Sequence, residues 1–361
     1  MTVRRATIDD VARAAGVSKA TVSAVLNDKG AVRAETRERV LFSIAQLNYR
    51  PSHGGGRPGA ARAGAIGLLI KEHDNPYYAG IADGVRTVVE ERGLTLLVAS
   101  SNGSWAAERR ALELLRTSDV LGLVVTPVLD EHADLGAYFE LRRRNVPFVL
   151  LEEVRGVPAS LVDVDNAAAA RAAATHLMAL GHERLAHLAG PAYSAHSAER
   201  LDGFRQAFSA SSLVFREELV VEAGAHLEDG LRAGRTLFGR RRAPRDGRPT
   251  AVTCYNDLVA IGLCRALREA GLRVPDDVSV VGFDDIPLCA YLDVPLTSVQ
   301  VPLHEMGVTA ARVLLAQLDA ATPAPPRRIH LDGALRVRAT TAPPPSRDVR
   351  AARPTSPALR S

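Results

Sequence analysis

A chain of 361 residues with 47% apolar content has material for a small module and one or two larger domains with buried cores. Its net charge of +4 is unevenly placed: residues 1–62 carry eleven Lys and Arg against five Asp and Glu, so that end suits a polyanion and the near-neutral body does not. Cys254, Cys264 and Cys289 are odd in number and lack metal-ligand spacing, which excludes a disulfide scaffold or zinc site and leaves small, reduced residues in or near a core; without a basic-then-apolar leader at Met1 or an apolar run of about 18 residues, a cytoplasmic protein with no membrane span is expected.

Residues 1–6 form a basic arm ahead of Thr7 to Asn27, TIDDVARAAGVSKATVSAVLN. Thr7 can cap a first helix, with Asp9 and Asp10 in the turn where carboxylates suit the positive end of the helix dipole. Ile8, Val11, Ala12 and Ala15 recur at i, i+3, i+4 and i+7 and make one buried face. Gly16 ends the run, since glycine takes left-handed dihedrals without strain. Ser18 then caps a second helix that buries Val22, Val25 and Leu26 and turns Lys19, Ala20, Ser23, Ala24 and Asn27 outward. A third helix, Ala34 to Leu47, carries Val40, Leu41, Ile44 and Leu47 as its buried stripe. The pattern alone fits either a helix-turn-helix DNA reader or an ordinary helical hairpin.

The residues themselves decide between these. TIDDVARAAGVSKATVSAVLN, followed by VRAETRERVLFSIAQLNYRP, resembles the headpiece of the lactose-repressor (LacI) family of bacterial transcription regulators, without a gap from Thr7 to Pro51. The resemblance implies that Lys19 and Ala20 choose the base sequence: lysine can reach guanine O6 or N7, and alanine can only pack, for example on a thymine methyl. Ala24 departs from the family, which commonly places a guanine-contacting arginine there, so weight shifts to Lys19 and Ala20. Ser18, Ser23, Asn27 and Thr36 match DNA-backbone contacts, and Thr7, Arg33 and Tyr49 complete the expected DNA-facing set of a headpiece spanning 1–51.

Residues 52–64 belong to the Gly- and Pro-rich stretch YRPSHGGGRPGAARAG and read as a flexible hinge. Family members usually carry a short helix here that orders on operator DNA and pushes a leucine into the minor groove. This chain keeps the spacing but sets Gly54, Gly55 and Gly56 at the helical positions and Pro58 at the leucine's. Each glycine disfavours a helix by about 0.8–1 kcal/mol relative to alanine. Proline can act at a minor-groove kink, which keeps Pro58 in the DNA-facing set, but the expectation is a weakly helical hinge whose wedge is lost.

From residue 65 the pattern alternates between buried strands and helices. AIGLLI (65–70), LTLLVAS (94–100), LGLVVTP (121–127) and VPFVLLE (146–152) form one series, with helices at Tyr77–Glu91 and Ala106–Thr117 between. SLVDVD (160–165), RLAHLAG (184–190), ELVVEAG (218–224), AVTCYN (251–256) and VSVVGFDD (278–285) form a second. Such alternation predicts an α/β body of two doubly wound parallel sheets, with ligand contacts outside the carboxyl ends of the strands. The family resemblance implies the same periplasmic-binding-protein-like, dimerising core over 65–341, with 298–325 returning to the first lobe and 326–341 to the second. Residues 342–361, rich in Pro and Arg, are expected to be a disordered tail.

In the body, NPYY (75–78) follows the first strand, where Tyr77 or Tyr78 can stack on a ligand ring or serve as aromatic filler. Glu152 ends the fourth strand, where the family often has an acid for ligand hydroxyls. By resemblance Arg200, in SAHSAERLDGF, grips the effector, and Asn256 in YNDLVAIG and Asp284 in VGFDDIP add contacts. The neighbouring Asp257 and Asp285 read as structural. Carboxylates, an amide and an arginine with aromatic walls suit a polyhydroxy ligand such as a sugar. A purine would want more aromatic area than this chain's 4%, and Ala225 stands where some sugar-responsive members have a ring.

The expectation is thus a homodimeric, sequence-specific regulator of a palindromic double-stranded operator, released or locked by a small carbohydrate effector, with no metal or cofactor. A binding-only solute protein shares the core but does not account for the helix-turn-helix. An enzyme on a doubly wound sheet would need a GxGxxG between a strand and a helix, a Walker loop, a GxSxG elbow or an HExxH, and none is present in that setting. His176, His182 and His187 have no acid or metal partner at a usable spacing and read as surface or capping residues.

Overall fold

A computed structural model of the chain describes residues 7–26, 32–47, 64–118, 120–128, 135–239, 247–320 and 325–345. The expectations for the basic arm, Asn27, Tyr49, Pro58, the glycine run and the tail beyond 345 lie outside them. Two compact units divide the chain, residues 1–62 and 63–361.

In the first unit, α1 (Ile8–Ala15), α2 (Lys19–Leu26) and α3 (Ala34–Gln46) surround Val11, Ala12, Ala15, Val22, Val25 and Val40. Thr7 and Asp10 form a reciprocal capping box: the Thr7 hydroxyl accepts from the Asp10 N–H at 3.3 Å, and the Thr7 N–H donates to Asp10 at 2.8 Å. Gly16 closes α1 at φ 64°, and its N–H reaches the carbonyls of Ala12 and Arg13. The expected stripe on α3 is corrected. Val40 is buried and Ile44 packs against the core, but Leu41 is 50% and Leu47 37% exposed. Helices of eight residues cover only a narrow strip of their longer neighbour. Leu41 is turned about 100° from Val40 and falls off that strip.

The second unit holds two six-stranded sheets. The first joins β1 (Ala65–Ile70), β2 (Thr95–Ser100), β3 (Val120–Val125), β4 (Phe148–Leu150), β5 (Ser160–Val164) and β11 (Arg328–Leu331) in the order β11-β5-β4-β3-β1-β2. Its helices are α4 (Pro76–Glu91), α5 (Trp105–Thr117), α6 (Gly136–Arg143) and α11 (Leu303–Asp319). The second joins β6 (Leu185–Ala189), β7 (Val220–Glu222), β8 (Ala251–Cys254), β9 (Ser279–Asp284), β10 (Thr297–Gln300) and β12 (Ala334–Arg336) in the order β12-β10-β9-β8-β6-β7. With it go α7 (Asn166–Ala179), α8 (Ala195–Ser209), α9 (Leu227–Phe238) and α10 (Asp257–Glu269). All pairings are parallel except β10 with β12. The continuous apolar runs of β1, β3 and β9 are what strands covered on both faces require.

Lobe membership differs from the expectation at three strands. β5 pairs with β4 and β11 in the first sheet rather than opening the second. β10 lies beside β9 in the second sheet, so only α11 and β11 return to the first lobe, and β12 goes back to the second. Among the described residues the chain therefore crosses between lobes after β5, after β10 and after β11. Hydrophobic period reveals a strand, but the choice of sheet rests on partners more than a hundred residues away. The body also runs past residue 341, because the Ala342 backbone exchanges hydrogen bonds with the Ser279 hydroxyl at 3.0 and 3.1 Å.

His182 and His187 are buried, not at the surface. His182 meets Thr250 at 2.8 Å and Ser279 at 3.1 Å, and His187 meets Thr253 at 2.9 Å. Burial pushes His187 down to about 3, so it is a neutral core residue. His176 is half-buried against Thr341. Cys254 and Cys289 are buried and Cys264 half-buried, all free thiols. Among the described residues no helix is long and apolar enough to cross a membrane.

Candidate functional site

A cavity of about 350 Å³ lies where the carboxyl ends of both sheets face each other. Tyr77, Tyr78, Glu152, Arg200, Asn256 and Asp284, which lie up to about two hundred residues apart in the chain, all line it. Asn75 caps α4, its side-chain oxygen accepting from the Tyr77 N–H at 3.1 Å. That cap sets the two tyrosines edge-to-face with ring centroids 5.1 Å apart. Burial pushes both phenols well above their ordinary value.

Arg200, on α8, is 3% exposed and gives two of its five donors to the protein. Nε donates to Asn166 at 2.9 Å and Nη1 to the Tyr255 carbonyl at 2.5 Å, while the guanidinium lies 3.6 Å from the centre of the Phe283 ring. Its Nη2 stands 3.6 Å from Asp284 Oδ1, too far for a hydrogen bond, and that buried oxygen has no hydrogen-bond partner. Burial raises the Asp284 carboxyl to about 8, against the pull of Arg200. Asp284 also holds φ at 110°, a strained value for a residue with a Cβ. Asn256 is engaged at both ends: its oxygen caps α10 through the Val259 N–H, and its nitrogen donates to the Ala225 carbonyl, each at 2.9 Å.

Glu152 is almost fully buried and forms an ion pair with Lys71, which follows β1. Its other oxygen accepts from the Ser194 hydroxyl at 2.9 Å. Burial works against the Glu152 charge, but Lys71 and His196 overcome it and hold the carboxyl at about 2. His196, in the first turn of α8 on the second lobe, reaches Asp163 of β5 on the first lobe at 2.9 Å. Burial opposes that charge too, yet Asp163 and Glu152 raise the imidazole above its ordinary value. Lys71, Asp163, Ser194, His196 and Tyr255 were not foreseen as site residues. Lys71 carried a signal, as the first polar residue after a buried strand; the others announced nothing locally. Asp257 and Asp285 are structural as expected. Asp257 accepts from the Ile286 N–H at 2.8 Å and the Ser298 hydroxyl at 2.5 Å, and Asp285 pairs with Arg338 at 2.7 Å.

On the headpiece, Ser18 caps α2 by accepting from the Thr21 N–H at 3.1 Å. Lys19 and Ala20 are exposed and Ser23 and Ala24 half-buried on that helix, with Arg33 exposed before α3 and Thr36 half-buried within it. Lys19 pairs with Asp9 at 3.1 Å across the turn. Both partners are exposed, so the pair is worth about 0–1 kcal/mol and yields readily to a phosphate or base edge.

Fold and cavity together define a two-lobed, binding-protein-like body on a chain that begins with a helix-turn-helix unit. Residues 7–52 match the model for bacterial regulatory proteins of the lacI family, and residues 174–341 that for a periplasmic binding protein-like domain. The chain is 37% identical over 355 residues to the HTH-type transcriptional regulator MalR of Streptomyces coelicolor, covering 96% of this chain and 98% of that one. The transcriptional regulator CelR in complex with cellobiose superposes with a TM-score of 0.69 at 33% identity, covering 93% of this chain and all of that one. The lac repressor dimer bound to operator and an anti-inducer gives 0.67 at 28% identity, over 94% and 100% of the two chains. The chain belongs to the LacI family: it is a DNA-binding transcriptional regulator, in a family of regulators and not of enzymes.

Proposed function

We propose that this regulator is a cytoplasmic repressor that binds a palindromic operator as a homodimer and is controlled by a sugar held between its lobes. The unmade contact between Arg200 and Asp284 carries the reading. A ligand hydroxyl placed there donates to the orphaned Asp284 oxygen and accepts from Arg200, which answers the buried carboxyl's missing partner. Tyr77 and Tyr78 supply an apolar wall, and Ala225 leaves room where a ring would narrow the cavity. Alternating donors and acceptors beside an aromatic wall are what a sugar presents a fit to. The bound cellobiose of the CelR structure and the operator of the lac repressor structure support the same reading.

A sugar acts by binding one arrangement of the lobes more tightly than the other, and only that difference can move DNA affinity. A two-fold dimer places one recognition helix in each half-site. Selecting duplexes from a random pool with full-length protein, with and without ribose, maltose and cellobiose, tests both parts. The expected result is a palindromic consensus whose occupancy changes with one of the sugars, and an Arg200→Ala variant that keeps the consensus but loses the response. Sequence-independent binding alone would overturn the operator reading, and a sugar response retained in Arg200→Ala would overturn the site.

A further inference from the structure

Four ion pairs lie along the cavity beside the open Arg200–Asp284 contact. Lys71 pairs with Glu152, His196 with Asp163, and Arg232 with Asp229 at 2.7 Å. Glu72, at the rim, faces His226 at 3.5 Å. Among the described residues, the Lys71 ammonium makes one hydrogen bond, to Glu152, and it lines the cavity. We propose that Lys71, neutralised by Glu152, sets the charge class of the effector: the cleft takes an uncharged sugar and excludes the corresponding sugar acid or sugar phosphate. The inference rests on the carbohydrate reading above and narrows it.

An anion brought to Lys71 must either displace Glu152 or sit beside it. Displacement leaves a carboxylate that is almost wholly buried without its cation, and juxtaposition sets two negative charges in a low-dielectric site. A neutral hydroxyl does neither. It accepts from one of the two ammonium protons Glu152 does not use, and leaves the pair intact. Glu152 stays ionised throughout the neutral range, because Lys71 and His196 hold its carboxyl at about 2 against burial. Arg200 is the other cation an anion can seek, but Asn166, Tyr255 and Phe283 hold it in place and its remaining Nη2 faces the Asp284 carboxyl, where an anion would set a second acceptor against a first.

Calorimetric titration of the full-length protein with matched pairs tests this: cellobiose and cellobionate, glucose and glucuronate, ribose and ribose 5-phosphate. Wherever the neutral member binds, the anionic one is expected to bind roughly a hundredfold more weakly. Glu152→Gln keeps the side-chain shape while releasing Lys71, and should narrow that ratio by about tenfold or more through a gain in the anion's affinity. Lys71→Met should weaken the neutral sugar without any such gain. An anionic member bound as tightly as its neutral partner by the unaltered protein would overturn the inference and leave the carbohydrate reading standing, with Arg200 as the anion's cation. A ratio unchanged in Glu152→Gln would overturn the role of the Lys71–Glu152 pair. If no sugar of either charge binds, the carbohydrate reading falls and this inference with it. Should Glu152→Gln not fold, the ratio in the unaltered protein still decides.

Discussion

Glu108 shows how much a single buried side chain can do away from the ligand. It is fully buried on α5, where it accepts from the Tyr138 hydroxyl at 2.7 Å and from the Val128 N–H. One carboxyl therefore ties α5 to α6 and to the segment leaving β3. Burial raises it from its ordinary 4.5 to about 7, against those two donors. The folded state then binds a proton that the unfolded state has released. That contribution to stability is complete below about pH 4.5 and is lost as pH rises through about 7. Asp257, raised to about 7, and Asp284, raised to about 8, act in the same sense. Glu152, held at about 2, acts in the opposite sense and costs stability only as pH falls below the ordinary carboxylate range. The buried neutral His187, held at about 3, opposes this below about pH 6.5, so the melting temperature is expected to fall from about pH 6.5 to pH 8, and Glu108→Gln to flatten that slope without abolishing it. Parallel profiles for the two proteins would show that Glu108 does not titrate there. Little of this was legible in the sequence. Glu108 sits among the charged residues of AAERRALELL, and only the closure of α6 over α5 buries it.

At the scale of elements, the helices pack in pairs through glycine. A Cβ on Gly262 would lie 2.0 Å from the Leu227 carbonyl, and one on Gly230 2.0 Å from the Val259 carbonyl, so α9 and α10 touch backbone to backbone. Gly84 and Gly307 do the same for α4 and α11, at 2.0 and 2.2 Å. These contacts brace the helices behind the strand ends that carry Lys71 and Asp284. Gly262→Ala must push backbone away from backbone, which no rotamer change can relieve. A loss of about 1–3 kcal/mol is expected, read as a lower denaturant midpoint at unchanged slope. An unchanged midpoint would mean that the pair slides apart freely. The headpiece helices were plain from their period and caps, as Thr7 and Ser18 illustrate, whereas the caps Asn75 and Asn256 emerged only with the structure. The pairing was not legible either, because a mid-helix glycine reads locally only as a weak helix position.

At the scale of the whole molecule, residues 52–64 connect the headpiece to the two-lobed body in the chain, and their composition argues against a stable helix. Replacing Gly54, Gly55 and Gly56 by alanine should favour helix by about 2.5–3 kcal/mol in all and tighten operator binding by up to roughly a hundredfold. Operator affinity unchanged in that variant would sink the idea that hinge ordering limits binding. By itself the sequence determined the headpiece helices and the alternation of strand and helix, which follow from hydrophobic period and caps, both local; the family resemblance, not the local pattern, pointed to Glu152, Arg200, Asn256 and Asp284, which line one cavity with Tyr77. Tertiary structure alone decided that β5 and β11 complete the first sheet and β10 the second. It also decided that Leu41 faces solvent, that His182 and His187 are buried, and that Lys71 meets Glu152 while His196 reaches Asp163. Burial and charge pairing depend on which distant segments come together, and nothing within a few residues of Lys71 or His196 records that.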